Sequence, residues 1–231
     1  MKCRGWAVMA VLLLAGCGNE APTPAPEATP ATATSAKVAE VSGTQRDILA
    51  FGDSLFAGYG LDAGESYPDK LEAALRARGI NAKVRNAGVS GDTTAAGLQR
   101  IEFVLDGIED APDLAIVELG GNDLLRGIAP AETHENLSGI LTELKERGIP
   151  ILIMGMRAPP NLGEAFVEDF DAIYPELAGR YGAALVPFFL EAVYDKPALI
   201  QPDRVHPTAP GIDAIVAATA DDVAKALPPQ D

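Results

Sequence analysis

Serine, histidine and aspartate can together carry acyl transfer when a fold brings them into contact, and this chain offers one such set: Ser54, Asp203 and His206. A serine hydroxyl is a poor nucleophile until an imidazole takes its proton, and the imidazole works best when a carboxylate fixes its tautomer. Ser54 is the candidate nucleophile, His206 the base and Asp203, three residues earlier, the orienting acid. A negative charge developing on the substrate also needs donors. Gly91, in Ser90-Gly91-Asp92, has no side chain to block a substrate and reads as the opening of a helix with free N–H groups. Asn122, in Gly120-Gly121-Asn122-Asp123, supplies a neutral side-chain donor. Taken singly, each motif has a plainer reading. Gly-Asp-Ser and Ser-Gly-Asp are ordinary turn and N-cap compositions, the Gly-Gly-Asn-Asp run is ordinary turn composition, and His206 could be a loop histidine before Pro207. His134 lies among Glu132, Thr133 and Glu135 on a predicted helix and reads as a solvated surface residue.

The elements that must position these residues follow from apolar periodicity. Ile48 to Phe51 is a short apolar run that stops at Gly52-Asp53-Ser54, as a buried strand does. Ala82 to Val89 predicts the second strand, Leu114 to Gly120 a third, ILIMGM from Ile151 a fourth and Ala183 to Phe189 a fifth. Between them, helical spacing marks Tyr67 to Arg78, Thr94 to Ile108, a helix through Leu137, Ile140 and Leu144, and another through Phe166, Phe170, Ile173 and Leu177. Ile212, Ile215, Val216 and Val223 belong to a closing helix, and Pro175 predicts a kink or break in the one before it. Five strands alternating with five helices imply an α/β domain: a doubly wound parallel sheet, three layers deep, covered by helices on both faces. Ligands in such sheets bind beyond the carboxyl ends of the strands. Ser54, Gly91 and Asn122 follow strands one, two and three, and Asp203 to His206 lies beyond strand five, so all converge on one edge.

GDSL at Gly52 to Leu55, NAGVSGDTT around Gly91, GGND at Gly120 to Asp123 and DRVHP at Asp203 to Pro207 together resemble the GDSL, or SGNH, hydrolase family. FGDSLFAGYGL, VELGGNDLLRGI and QPDRVHP are similar in particular to its periplasmic thioesterase, lysophospholipase and arylesterase subgroup, and the likeness runs from about Asp47 to Leu227. The resemblance implies a flavodoxin-like strand order, 2-1-3-4-5. It implies a triad of Ser54, Asp203 and His206, and an oxyanion hole built from the Ser54 backbone N–H, Gly91 and Asn122. It also implies that Leu124 to Ile128 is a substrate-gating loop. One departure is Arg204, where many members have glycine; it leaves the triad intact but sets a cation beside the site.

Lys2 and Arg4 precede an uncharged apolar run from Trp6 to Ala15, the length of a signal-peptide core and too short to span a bilayer. The run closes on Leu14-Ala15-Gly16-Cys17, which resembles a lipobox. The expected organisation is a lipoprotein signal peptide over 1–16, a lipidated Cys17 heading a Pro/Ala/Thr-rich tether over 17–45, and a hydrolase domain over 46–231. Prolines 22, 24, 26 and 30 and the lack of aromatics favour an extended tether. With no aspartate after Cys17, similarity to lipoprotein sorting suggests the outer membrane, facing the periplasm. Cys3 and Cys17 are the only cysteines, so neither a structural disulfide nor a cysteine metal site is expected in the domain. The formal net charge of −15 repels phosphate backbones, which argues against nucleic-acid binding. Gly52 to Ser54 is followed by no lysine at P-loop spacing, which argues against nucleotide binding.

The expectation is a serine hydrolase, acting as a monomer without metal or cofactor. It would cleave carboxylic esters and thioesters of short to medium acyl groups through an acyl-serine intermediate, with lysophospholipids among the candidate substrates. A carbohydrate or cell-wall O-acetyl esterase is the alternative within hydrolysis. A non-catalytic binding lipoprotein is the alternative outside it, disfavoured because binding alone has no use for a triad.

Overall fold

A computed structural model describes residues 41–229. The proposed signal peptide, Cys17 and most of the tether lie outside those residues. Five strands form one all-parallel sheet: β1 (Arg46–Gly52), β2 (Ala82–Gly88), β3 (Leu114–Glu118), β4 (Ile151–Met154) and β5 (Ala184–Val186), in the order β2-β1-β3-β4-β5. This is the expected order. β1, β3 and β4 are buried because their side chains are apolar on both faces, whereas β2 and β5 lie at the edges and expose polar or small residues. β5 is three residues, shorter than the predicted Ala183 to Phe189, because Pro187 cannot donate to a ladder.

Among the described residues seven α-helices surround the sheet, two more than the periodicity predicts. The additions, α1 (Ser54–Ala57) and α4 (Gly121–Arg126), are single short turns at the carboxyl ends of β1 and β3, too brief to show a helical repeat. α2 (Tyr67–Ala77) packs with α7 (Ala209–Ala226), while α3 (Thr94–Asp106), α5 (Pro130–Glu146) and α6 (Glu164–Tyr181) pack in sequence. Ser66 caps α2 by accepting from the Asp69 N–H, and Tyr67, Leu71 and Leu75 present one fully buried face. Each of those leucines contributes about 1.5–3 kcal/mol by leaving water. The Tyr67 hydroxyl lies 2.8 Å from Thr219 Oγ1 and ties α2 to α7.

α6 runs unbroken through Pro175, against expectation. Pro175 faces solvent, where water can satisfy the carbonyl that its missing N–H leaves free. Phe170, Ile173, Tyr174 and Leu177 are buried on both sides of it and hold the two halves on the core.

Register is what builds the site. Gly52 at the end of β1 pairs laterally with Gly88 of β2 and with Glu118 of β3. The three strands therefore end at one level, at the point where the sheet's winding reverses. A Cβ on Gly88 would lie 2.4 Å from the Ala57 nitrogen and 2.8 Å from the Asp53 carbonyl oxygen, so only glycine lets β2 run this close to the turn that carries Ser54.

Candidate active site

β1 leaves the core at Gly52, and Asp53 caps the four-residue helix that follows, its Oδ1 accepting the Leu55 N–H at 2.9 Å. Ser54 is the first residue of that helix, largely buried but lining the cleft. So short a helix cannot stand on its own hydrogen bonds. It is anchored by Phe56, fully buried, stacked on Tyr67 at 5.2 Å between ring centroids and set edge-on to Phe189 at 5.6 Å. Gly58, left-handed at φ 83°, ends it.

His206 comes from the loop between β5 and α7. Ile200 and Pro207 form an isolated antiparallel bridge, and the Gln201 N–H donates to the His206 carbonyl at 2.7 Å. The Gln201 side chain donates to the carbonyls of both Tyr59 and Pro207, which staples the histidine loop to the segment following Ser54. Asp203 Oδ1 accepts the N–H groups of Val205 and His206 at 2.9 and 3.1 Å. This wraps the chain around the carboxylate and forces Arg204 to φ 64°, the only positive φ outside glycine among the described residues.

The result is a continuous relay. Ser54 Oγ lies 2.8 Å from His206 Nε2, and His206 Nδ1 lies 2.7 Å from Asp203 Oδ2. An ionised Asp203 fixes the proton on Nδ1 and leaves Nε2 to accept the serine proton. Asp203 is well suited to stay ionised. Partial burial resists its charge, but the Val205 N–H, the imidazole and the His206 N–H outweigh that and draw its pKa down to about 2. The Tyr59 ring lies against His206 at 4.4 Å between centroids.

Gly91 and Asn122 line the same cleft as Ser54 and His206. Gly91 does not open a helix as expected: α3 starts at Thr94 with Thr93 as its N-cap, and Gly91 lies before it in a turn at φ 89°. Its N–H therefore belongs to a left-handed turn rather than to a helix terminus, and its carbonyl accepts Arg126 Nη2 at 2.7 Å. Asn122 lies in the first turn of α4, and its Nδ2 donates to Asp53 Oδ2 at 2.9 Å, which leaves a second N–H on the same nitrogen. The segment 124–128 begins as the C-terminal half of α4, not as loop, and Leu124 and Leu125 face the cleft.

The other acids of the motifs have structural work. Asp123, fully buried, accepts the Thr94 N–H at 2.9 Å together with the hydroxyls of Thr94 and Thr133. Asp92 pairs with Arg100 at 2.6 Å, and Arg100 in turn donates to the Gly52 carbonyl and covers Phe51. His134 pairs with Glu176 at 3.2 Å away from the cleft, as a surface histidine would.

Beneath Ser54, Glu118 is completely buried at the end of β3, with Oε2 3.4 Å from the Asp53 N–H and Oε1 without a partner among the described residues. Burial, and then the charge of Asp53, raise the Glu118 carboxyl well above its ordinary range, so it is held protonated. Burial raises Asp53 as well, against the N–H of Leu55 and the contacts to Glu118 and Asn122 that favour its charged form. One proton on the pair, on Glu118, leaves Asp53 the anion that holds Asn122. Sequence reasoning missed Glu118, Asp53 as the Asn122 partner, Gln201 and Tyr59. Only the glutamate left a signal, as the single charge in an otherwise apolar strand.

The cleft encloses about 570 Å³. Its walls are largely apolar, with Leu124, Leu125, Met156, Pro159, Phe188 and Val205, and two cations, Arg157 and Arg204, complete them.

Residues 50–214 match the model of the GDSL-like lipase/acylhydrolase family. The chain is 41% identical over 166 residues to an arylesterase of Vibrio mimicus, covering 72% of this chain and 82% of that one. It is 41% identical over 160 residues to thioesterase 1/protease 1/lysophospholipase L1 of Escherichia coli K12, covering 69% and 74%. Among solved structures, AlinE4, an SGNH-hydrolase family esterase, is 71% identical, with a TM-score of 0.69, over 81% of this chain and all of that one.

Proposed function

The chain belongs to the GDSL-like lipase/acylhydrolase family and is a serine ester hydrolase, and from that premise we propose how its own residues perform the reaction and on what. Ser54 Oγ attacks the ester or thioester carbonyl while its proton passes to His206 Nε2. The carbonyl oxygen becomes an oxyanion facing the N–H groups of Ser54 and Gly91 and the Asn122 amide. His206 returns the proton to the leaving oxygen or sulfur, and the C–O or C–S bond breaks. An acyl-Ser54 remains. Water then gives a proton to His206 while its oxygen bonds to the acyl carbon, and the bond to Ser54 Oγ breaks as His206 returns that proton to Oγ, which releases the acid and restores the serine.

The observation that carries this reading is the unbroken Ser54–His206–Asp203 relay, at 2.8 and 2.7 Å, opening into an apolar cleft. The apolar walls support acyl groups of short to medium length rather than an acetyl group on a sugar. The test is hydrolysis of p-nitrophenyl acetate, butyrate and octanoate by the full chain beside Ser54→Ala. Turnover with a pre-steady-state burst, lost in the alanine variant, is the expected result. Equal rates for the two proteins would overturn the assignment of Ser54.

The proposal extends to place: a monomeric enzyme carried on an envelope membrane by acyl chains on Cys17, facing the periplasm. It rests on the Leu14-Ala15-Gly16-Cys17 motif behind an apolar run. More than one chain on that cysteine is what stable anchoring needs. Cys17→Ser should move the protein from the membrane to the soluble fraction, and an unchanged membrane fraction would refute the anchor.

A further inference from the structure

Arg204 occupies a backbone conformation that L side chains avoid, at φ 64°, because the chain must turn sharply there to deliver the Val205 and His206 N–H groups to Asp203. Glycine would meet that demand without strain, so the backbone gives no reason for an arginine. Strain retained at a site points to a use for the side chain. The Arg204 side chain lines the cleft and makes no ion pair or hydrogen bond among the described residues. Neighbouring Asp203 forms no ion pair with it, since that carboxylate is bonded to the Val205 and His206 N–H groups and to the imidazole. The other cleft cation, Arg157, is already set 3.4 Å from Glu191 and over the Phe188 ring. Arg204 is thus a cation whose side chain has no ion-pair partner among the described residues, lining the cleft of a protein of net charge −15.

Its place fixes which part of the substrate it meets. His206 must pass a proton to the leaving oxygen, so the leaving group lies on the His206 side of the cleft, and Arg204 is two residues away in the same reversed loop. We infer that Arg204 selects esters whose leaving alcohol carries an anionic group, carboxylate or phosphate, while the acyl chain occupies the apolar walls. This inference rests on the ester-hydrolase roles proposed above. The guanidinium suits either anion, since its fork of donors matches both.

The test compares kcat/KM for anionic and neutral leaving groups bearing the same acyl chain. One arm uses 4-butyryloxybenzoate against 4-butyryloxybenzamide; a second uses the butyryl ester of glycerol phosphate against that of glycerol. The full chain is assayed as wild type, Arg204→Gly, Arg204→Gln, Arg204→Lys, Arg157→Gln and Ser54→Ala. The anionic-to-neutral ratio should fall about fivefold in Arg204→Gly and Arg204→Gln, chiefly through KM, as expected for an exposed charge pair. It should return largely in Arg204→Lys, and the wild-type preference should shrink with added salt. A fall in either arm supports the inference, and the arm that falls further names the anion. A misfolded variant is excluded by melting temperature: Arg204→Gly relieves the strained φ and should melt no lower than the wild type. An unchanged ratio in both arms, or one that moves only in Arg157→Gln, overturns the inference while leaving the esterase intact. If the wild type turns over none of the four esters faster than Ser54→Ala, the hydrolase roles themselves fail and this inference with them.

Discussion

Asn122 Nδ2 lies 2.9 Å from Asp53 Oδ2, so the amide proposed to face the oxyanion is held by the residue immediately before Ser54. Asp53 also caps the helix of Ser54 through its other oxygen. One carboxylate therefore sets the position of both the Ser54 turn and the Asn122 amide.

Asp53→Asn keeps only one acceptor oxygen where two N–H groups converge. It should lower kcat tenfold or more, with little change in KM, because the loss falls on the transition state. Asn122→Ala should cost about 10²–10³ in kcat, the usual effect of removing an oxyanion donor. Steady-state kinetics below the melting temperatures of all variants decide the matter. A rise in KM at constant kcat would place Asp53 in substrate binding instead.

Asp203, drawn down to about 2, remains ionised wherever the enzyme works, so its own ionisation should leave log kcat/KM unaffected above about pH 4. A fall in kcat/KM that Asp203→Asn abolishes within that range would show Asp203 titrating there. Asp203→Asn should lower kcat by about 10³–10⁴ by losing the tautomer that Nε2 needs. Because the folded value lies below the ordinary 3.8, the Asp203 contribution to stability is present above about pH 4 and disappears as pH falls toward 2.

Glu118 works in the opposite direction. Its folded-state value is raised, so the unfolded chain releases this proton near the ordinary 4.5 while the folded one retains it. Stability from this residue is full below about pH 4.5 and declines as pH rises above it. Glu118→Gln offers a donor toward Asp53 with no proton to lose. Its melting temperature relative to the wild type should climb between about pH 5 and pH 8. A difference flat with pH would mean that Glu118 is ionised in the fold.

A Cβ on Gly91 would meet only Arg126 Nη2, at 3.8 Å, so crowding does not forbid a side chain there. The left-handed φ of 89° does. Gly91→Ala should cost about 1–2 kcal/mol of stability if the turn is kept, or lower kcat if the turn shifts to relieve the strain. Arg126→Gln, which removes the donor to the Gly91 carbonyl from an exposed side chain, should leave stability within about 0.5 kcal/mol. It should still lower kcat several-fold. Thermal melts and kcat on p-nitrophenyl butyrate check both, and an unaffected kcat in Arg126→Gln would show that the turn holds itself.

The long elements were legible in the sequence because burial on both faces of a parallel sheet demands uninterrupted apolar strands, and burial of one helix face demands a repeat of three to four residues. Ile48 to Phe51, Leu114 to Val117 and the Leu137-Ile140-Leu144 stripe obey those demands without help from distant residues. The candidate residues Ser54, Gly91, Asn122, Asp203 and His206 were legible for a related reason: strand ends in such a sheet must converge. The sequence also carries, alone, whatever is to be said of Cys17 and the tether.

Tertiary structure decided the rest, where the outcome depends on pairs far apart in the chain. α1 and α4 exist because Asp53 caps one and the core beneath Phe56 and Asp123 anchors both, not through any periodicity of their own. Pro175 is tolerated because the fold turns it to water. The proton between Asp53 and Glu118 is set by burial at the register of β1 on β3, which no local pattern records. Arg204 reads in sequence only as a cation beside the site. Its strained backbone, its lack of a partner and its place in the cleft come from a loop closed by the Ile200–Pro207 bridge and by Gln201 reaching across to Tyr59.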